Sequence, residues 1–243
     1  MLDMPSSAQR LRTLLDAHGS LHDRIKELHN ISQYQIARDG TTLDAVQALR
    51  YRAYFSAGAT ARRLDRRLSD HYDLDRHAAS IALWFEDQLC ASIRLHVITD
   101  AGQQSPALTA FAEELRPFVG QGRRLVDANC FCVDPALSGR VPEIAYLMFR
   151  LPFITADLRA NSRITATVTA RHRPFYLRIL RCDEIAPPRP YPGRARPLGL
   201  TLCDVARERE HILARNPSFE PLPGEPERIG LHRIGADERR TAA

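Results

Sequence analysis

Two apolar runs separated by three polar residues constrain this chain most: ASIALWF (79–85) and LCASIRLHVI (89–98), joined by Glu86, Asp87 and Gln88. They predict two paired strands with a short hairpin connection. The second run carries Arg94 inside what otherwise reads as a buried strand, and a charge there must be paired or face a cleft.

Around the hairpin the pattern alternates between helix and strand. Leu11, Leu14, Leu15, Leu21, Ile25 and Leu28 recur mostly at three- or four-residue steps, predicting an amphipathic helix over 8–30 that Gly19 and Ser20 interrupt. A short strand follows at 32–38. Thr42 or Asp44 then caps a second helix bearing Val46, Leu49, Tyr51 and Tyr54. Residues 107–118 read as helix or irregular loop, and 124–133 (RLVDANCFCV) as a strand closed by Asp134-Pro135. A helix opening near Ser138 and Pro142 runs to about Leu158, with a bend expected at Pro152. Beyond it come a strand at 163–169, a short helix at 173–181, and strands at 182–186 and 198–205. This order predicts an α/β fold, an α/β/α sandwich on a mixed central sheet. The division expected is a helical extension (1–31), a main domain (32–215) and a Pro-, Gly- and charge-rich tail (216–243) that is loosely held.

Composition narrows the class. With 44% hydrophobic and 26% charged residues the chain is an ordinary globular one. No apolar run approaches the roughly 20 residues that cross a bilayer, and the N-terminus lacks a secretory pattern, so a cytoplasmic protein without a membrane span is expected. Five cysteines without CxxC spacing suggest reduced, buried thiols rather than disulfides or a zinc site. Cys130 and Cys132, two apart in a strand, are expected to share one face. The net charge is +5, and Lys26 is the one lysine among the basic residues. Arg62, Arg63, Arg66 and Arg67 cluster around a stretch read as helical, and Arg123 and Arg124 adjoin a strand; such patches suit an acidic partner or a solvated surface. No nucleic-acid-binding signature accompanies them, so no nucleic acid is expected.

The chain has no GxSxG elbow, HExxH, Walker loop or GxGxxG. What remains is charge at strand and helix edges: Arg50 among apolar helix residues, Asp70 and Asp73 in a turn-like stretch, Arg94, and Asp127 inside the 124–133 strand. Asp70, Asp73 or Asp127 is the expected partner of Arg94, either in a structural ion-pair network or at an active site.

Those residues fall into five short motifs. LRYRAYF (49–55), SDHYDLD (69–75) and LCASIRL (89–95) resemble the N-terminal core of acyl-homoserine-lactone synthases and bacterial N-acyl amino acid synthases, through Arg50 and Tyr54, Asp70 and Asp73, and Arg94 with Leu95. RRLVDANCFCVDP (123–135) is similar to the families' next strand, with Asp127, Asn129 and Phe131 in matching places and Cys130 where arginine is usual. HRPFYLRILRCDEIAPPRPYPG (172–193) resembles a segment of the amino acid synthases and favours them over the lactone synthases. The glycine usual before the strand arginine is missing. The resemblance spans about 32–206.

It implies a GNAT-like fold and an N-acyltransferase moving an acyl chain from a thioester to a small amine, such as an amino acid. The carbonyl is expected to lie where the 124–133 and 163–170 strands splay, polarised by backbone groups near Phe131 and Val133. Asp127 is the acid/base candidate, with a salt bridge to Arg94 or Arg123 as its structural alternative. Arg50, Tyr54, Asp70, Asp73, Arg94, Asn129 and Tyr176 are the substrate-site candidates. Tyr146, Leu147, Phe149 and Phe175, with Tyr176, suit an acyl tunnel or plain core. The acetyl-coenzyme A loop is not intact: SGRVPEIA (138–145) keeps Gly139 and Arg140, which suit one phosphopantetheine phosphate. An acylated acyl carrier protein is therefore the favoured donor, acyl-CoA the alternative, with no tightly bound cofactor and no metal; Arg62, Arg63, Arg66, Arg123 and Arg140 are its docking candidates. A lactone synthase using S-adenosylmethionine, a non-catalytic carrier-binding module and, ranked last, an arginine-rich nucleic-acid binder remain the competing readings.

Overall fold

The computed structural model describes residues 6–38, 40–191 and 194–236. The predicted hairpin forms as β2 (Ala78–Phe85) and β3 (Gln88–Ile98), turned at Glu86 with φ +51°. It sits inside a seven-stranded sheet with β1 (Ser32–Ile36), β4 (Arg124–Val133), β5 (Ser162–Val168), β6 (Asp183–Arg189) and β7 (Leu198–Asp204), in the order β1-β2-β3-β4-β5-β7-β6. Only the β4–β5 pair is parallel, so the sheet is mixed as expected.

One face of the sheet is covered by α1 (Ser7–Asp16), α2 (Leu21–Ile31), α6 (Glu143–Asp157) and α8 (Val205–Arg215). Ile81, Leu83, Ile93, Leu95, Val126 and Ala128 point into that layer. Ser20 accepts from the Asp23 N–H and opens α2, which is why the single predicted N-terminal helix is two. The other face is covered by α3 (Gly40–Ser56) and by the short α4 (Pro106–Ala110) and α5 (Ala112–Leu115). Strand alternation sends Ser80, Arg94, His96, Asp127 and Asn129 to this second face. The polar residues of the sheet thereby gather in one layer, and the other face is left to apolar packing.

Two local expectations are corrected. The stretch around Arg62, Arg63, Arg66 and Arg67, read as helical, is irregular, whereas α6 opens at Pro142, its N-cap, as expected. The helix continues through Pro152. The tail from Asn216 is not loose over its described part: Phe219, Glu225, Leu231 and Ile234 are buried, and α9 (Glu225–Ile229) forms within it. Residues 237–243 of that tail lie outside the described residues. Irregular spacing hid this packing, because prolines and glycines place the apolar side chains by turns rather than by helical period.

The tail is held by a buried pair. The Glu225 carboxylate meets the Arg150 guanidinium of α6 and accepts from the Leu222 N–H at 2.9 Å, while Arg150 also donates to the Ser218 and Glu220 carbonyls. Burial raises the Glu225 carboxyl but Arg150 more than offsets this, so it titrates below the usual carboxylate range. A depressed folded-state value contributes stability above the unfolded value that is lost as pH falls through the folded one. Glu225→Gln keeps the shape and loses the charge. It is expected to cost about 1.5–3 kcal/mol at neutral pH in urea unfolding, with the difference from wild type shrinking below pH 4.

Candidate active site

The site grows from the end of the β4–β5 pairing. Those strands pair from Arg124↔Ser162 to Asp127↔Thr165 and then part; Ala166–Val168 of β5 continue on β7 alone. In the stretch that follows, β4 carries a bulge against β3. Asn129 pairs with Arg94 and Cys132 with Ser92, so Cys130 and Phe131 together oppose Ile93. Cys130 takes φ +50°, an uncommon value for a residue with a Cβ. The extra residue changes the alternation, and Phe131 packs on Phe149 of α6 with ring centroids 4.8 Å apart. Cys130 and Cys132 still share the α3 side of the sheet, both beside Arg50 and Tyr54, and meet Arg194 and Ser92 respectively.

The Asp134 N–H donates to Cys90 O on β3. Successive strand N–H groups alternate, so the N–H groups of Val133 and Phe131 face away from β3, toward the gap left by β5. On that side the Tyr54 hydroxyl donates to Phe131 O at 3.3 Å.

Beside the gap, motifs far apart in sequence form one ion-pair network. Arg94 donates to Asp70 at 2.6 and 2.9 Å, to Asp73 at 2.8 Å and to Asn129 Oδ1 at 2.8 Å. Arg50 of α3 donates to Asp73 and to Ser80 Oγ, each at 2.6 Å. A single turn at 71–74 presents both aspartates: Asp70 caps it by accepting from the Tyr72 N–H, and Asp73 reaches back to the Asp70 N–H. Arg94 is fully buried, and its attraction to these carboxylates outweighs desolvation and raises its pKa. The candidate partner Asp127 stands apart. It forms no ion pair with Arg94 or Arg123 among the described residues. Its Oδ2 accepts from the Ala107 N–H at 3.0 Å and its Oδ1 has no hydrogen-bond partner. Burial pushes this carboxyl up, against the Ser105 hydroxyl and the Ala107 N–H. It is enclosed rather than open to a cleft.

A family model described as N-acyl amino acid synthase FeeM matches residues 45–204, which contain this network and the whole strand gap. The chain belongs to the FeeM N-acyl amino acid synthase family. As a member it is an N-acyltransferase. Among solved structures, FeeM from uncultured soil microbes aligns at 20% identity with a TM-score of 0.62, covering 75% of this chain and 96% of that one. The CoA-dependent acyl-homoserine lactone synthase BjaI with MTA aligns at 12% identity and 0.54 (76% and 90% covered), and the AHL synthase LasI at 14% and 0.51 (71% and 88%). At these identities the likeness shows the GNAT-like fold. No curated protein matches.

The remaining candidates of this FeeM-family chain lie on other elements. Gly139, at φ +77°, and Arg140 precede α6, whose first residue, Glu143, is fully buried and accepts from Arg24 Nε at 2.7 Å and from Arg12. A surface depression of about 310 Å³ beside them is lined by Ala8, Gln9, Arg12 and Arg140. Tyr176, on α7 (Arg173–Ile179), packs against Phe149 at 4.9 Å; Phe175 and Tyr146 extend the stack, which is filled core. Arg62, Arg63 and Arg66 are exposed in the irregular segment, apart from Arg123 beside β4 and Arg140 before α6. All five cysteines are free and buried, and burial raises the Cys132 thiol to about 11.

Three residues escaped sequence reasoning. Tyr191 and Arg194 sit in the Pro-rich link between β6 and β7, where no periodicity marks them; Arg194 reaches the gap through Cys130 and Tyr54, and Tyr191 packs on Phe111. His96, fully buried on β3, had only its place in an apolar run as a signal. Its Nε2 lies 3.5 Å from Asp75, with His77 alongside, a grouping of three potential metal ligands. Asn129 decides the protonation. Its Oδ1 is taken by Arg94, so its Nδ2 is the atom 3.1 Å from His96 Nδ1. Nδ1 therefore accepts and Nε2 carries the hydrogen, which suits Asp75 and opposes a metal at Nε2. Burial, then Arg94, hold the His96 pKa well below its ordinary value. A depressed histidine is neutral when folded and takes a proton on unfolding, so stability falls as pH drops below about 6.5. His96→Gln is expected to remove up to one proton, about 1.4 kcal/mol per pH unit, from the slope of unfolding free energy between pH 6.5 and 5.

Proposed function

We propose that this chain joins a fatty acyl group to the amine of an amino acid, taking the acyl group from the phosphopantetheine thioester of an acyl carrier protein. The observation that carries this reading is the gap past the Asp127↔Thr165 pair, where the β4 N–H groups of Phe131 and Val133 face no strand. Two N–H groups that face no strand are suited to a carbonyl oxygen that gains charge as the amine adds. The new C–N bond forms at the carbonyl carbon, the C–S bond breaks, and the thiol leaves with a proton. Asp127 is enclosed beneath α4 in this structure, and its unpartnered Oδ1 and raised pKa suit it to take the proton that the ammonium must lose once that cover opens.

The Arg50–Asp73–Arg94–Asp70 network fixes the wall of the acceptor site, and Tyr54 and Asn129 tie it to β4. Residues 32–215 make the transferase unit. The carrier protein is favoured because the segment before α6 keeps one phosphopantetheine-sized contact region, Gly139 and Arg140, and a carboxylate, Glu143, stands at the helix start. The exposed arginines 62, 63 and 66 suit its acidic surface. No helix among the described residues is long and apolar enough to cross a membrane.

The test is product analysis by mass spectrometry with a mixture of amino acids and either acyl carrier protein or acyl-CoA as donor. An N-acyl amino acid formed faster from the carrier is the expected product. Lactone formation from S-adenosylmethionine would replace this reading with the lactone synthase one.

A further inference from the structure

A covered cation whose protein partners are all neutral marks a place suited to an anion, because an unpaired charge away from water is costly. Arg50, Arg94 and Arg150, all buried, each meet a carboxylate. Arg194 meets none among the described residues. It is partly covered in the link between β6 and β7, and Nη2 lies 3.6 Å from Cys130 Sγ. Its guanidinium carbon stands 4.5 Å from the centre of the Tyr54 ring. No other side-chain hydrogen bond is formed by this guanidinium among the described residues, leaving donors of its planar fork unused. A guanidinium fork matches a carboxylate in shape and charge.

The position of this arginine matters as much as its missing partner. Cys130 is the bulge residue of β4 at the strand gap, and the Tyr54 hydroxyl is bonded to Phe131 O in the same place. An anion held by Arg194 therefore lies beside the open edge of β4. The acyl thioester itself carries no anion at its reacting end, whereas an amino acid acceptor has a carboxylate one carbon from the amine.

Building on the amide-forming reading above, we propose that Arg194 determines acceptor specificity by binding the free carboxylate of an α-amino acid, so that the amine lies against the open edge of β4. Amines without that carboxylate lose this contact and become poor acceptors.

The experiment measures thiol release from acyl carrier protein with three acceptors: an amino acid found active with the wild type, its primary amide, and the decarboxylated amine. Wild type, Arg194→Met and Arg194→Lys are compared. Wild type is expected to favour the acid in kcat/KM by about 100-fold, the scale of a lost charged contact in a covered site. In Arg194→Met that preference collapses to a few-fold because the acid is used less well and the amide is little changed; Arg194→Lys recovers part of it. Equal losses on acid and amide, or a preference that survives Arg194→Met, overturn the assignment. Wild-type use of the amide or amine as readily as the acid also overturns it and leaves amide formation standing. Release that no acceptor accelerates removes the parent reading, and this one with it.

Discussion

Asp73→Ala is expected to lower the unfolding free energy by about 3–5 kcal/mol, the scale for removing one partner of a buried charged pair. The side chain of Asp73 is 2% exposed and receives hydrogen bonds from both Arg50 and Arg94. Its removal leaves Arg50 with a hydroxyl and Arg94 with Asp70, whose side chain is 37% exposed, as the remaining anion of the network. Asp70→Ala is expected to cost clearly less, because Asp73 stays between the two cations and solvent screens the lost contact. Urea unfolding of the two variants checks this order. Equal small losses would mean that the network is not what holds the 71–74 turn to the sheet.

Asp127→Asn is expected to reduce kcat by about 100-fold or more with little change in stability, the typical share of a positioned general base. The amide oxygen still accepts the Ala107 N–H, so the local fold is kept while the basic oxygen is lost. Because burial raises the Asp127 carboxyl, wild-type activity is expected to fall on the acid side at a pH above the ordinary carboxylate range, as the base becomes protonated. That limb disappears from the residual activity of the variant. Full activity in Asp127→Asn would make the carboxylate a structural support for α4.

The sequence located the pieces of this site better than their connections. Apolar runs exposed β2 and β3, alternation exposed β5, and Arg94 stood out because a charge in an apolar strand needs a partner. Spacing left three aspartates as that partner. The choice of Asp70 and Asp73 rests on the 71–74 turn, whose two acids cap each other's backbone and so aim at one guanidinium. Asp127 lies across from His96 in register and bonds α4 instead.

The bulge was not legible, because nothing in ANCFCV announces an extra residue. Its extra residue leaves Asn129 and Cys130 on the same side in succession, which brings Cys130 to Arg194. Arg194 is placed by its contacts with Tyr54 and Cys130 rather than marked by any local sequence pattern. The tail was misread for the same reason: Phe219, Leu231 and Ile234 are buried through turns, and a composition rich in proline and charge conceals it.

The central claim is amine-dependent cleavage of an acyl thioester, and free-thiol release by the purified full chain tests it most directly. Long-chain acyl carrier protein is mixed with a panel of amino acids, and release is compared with a control lacking any amine. The account predicts release that rises with acceptor concentration and saturates, with one amide formed per thiol. Release independent of every amine, or none from folded protein that binds the carrier, would contradict it.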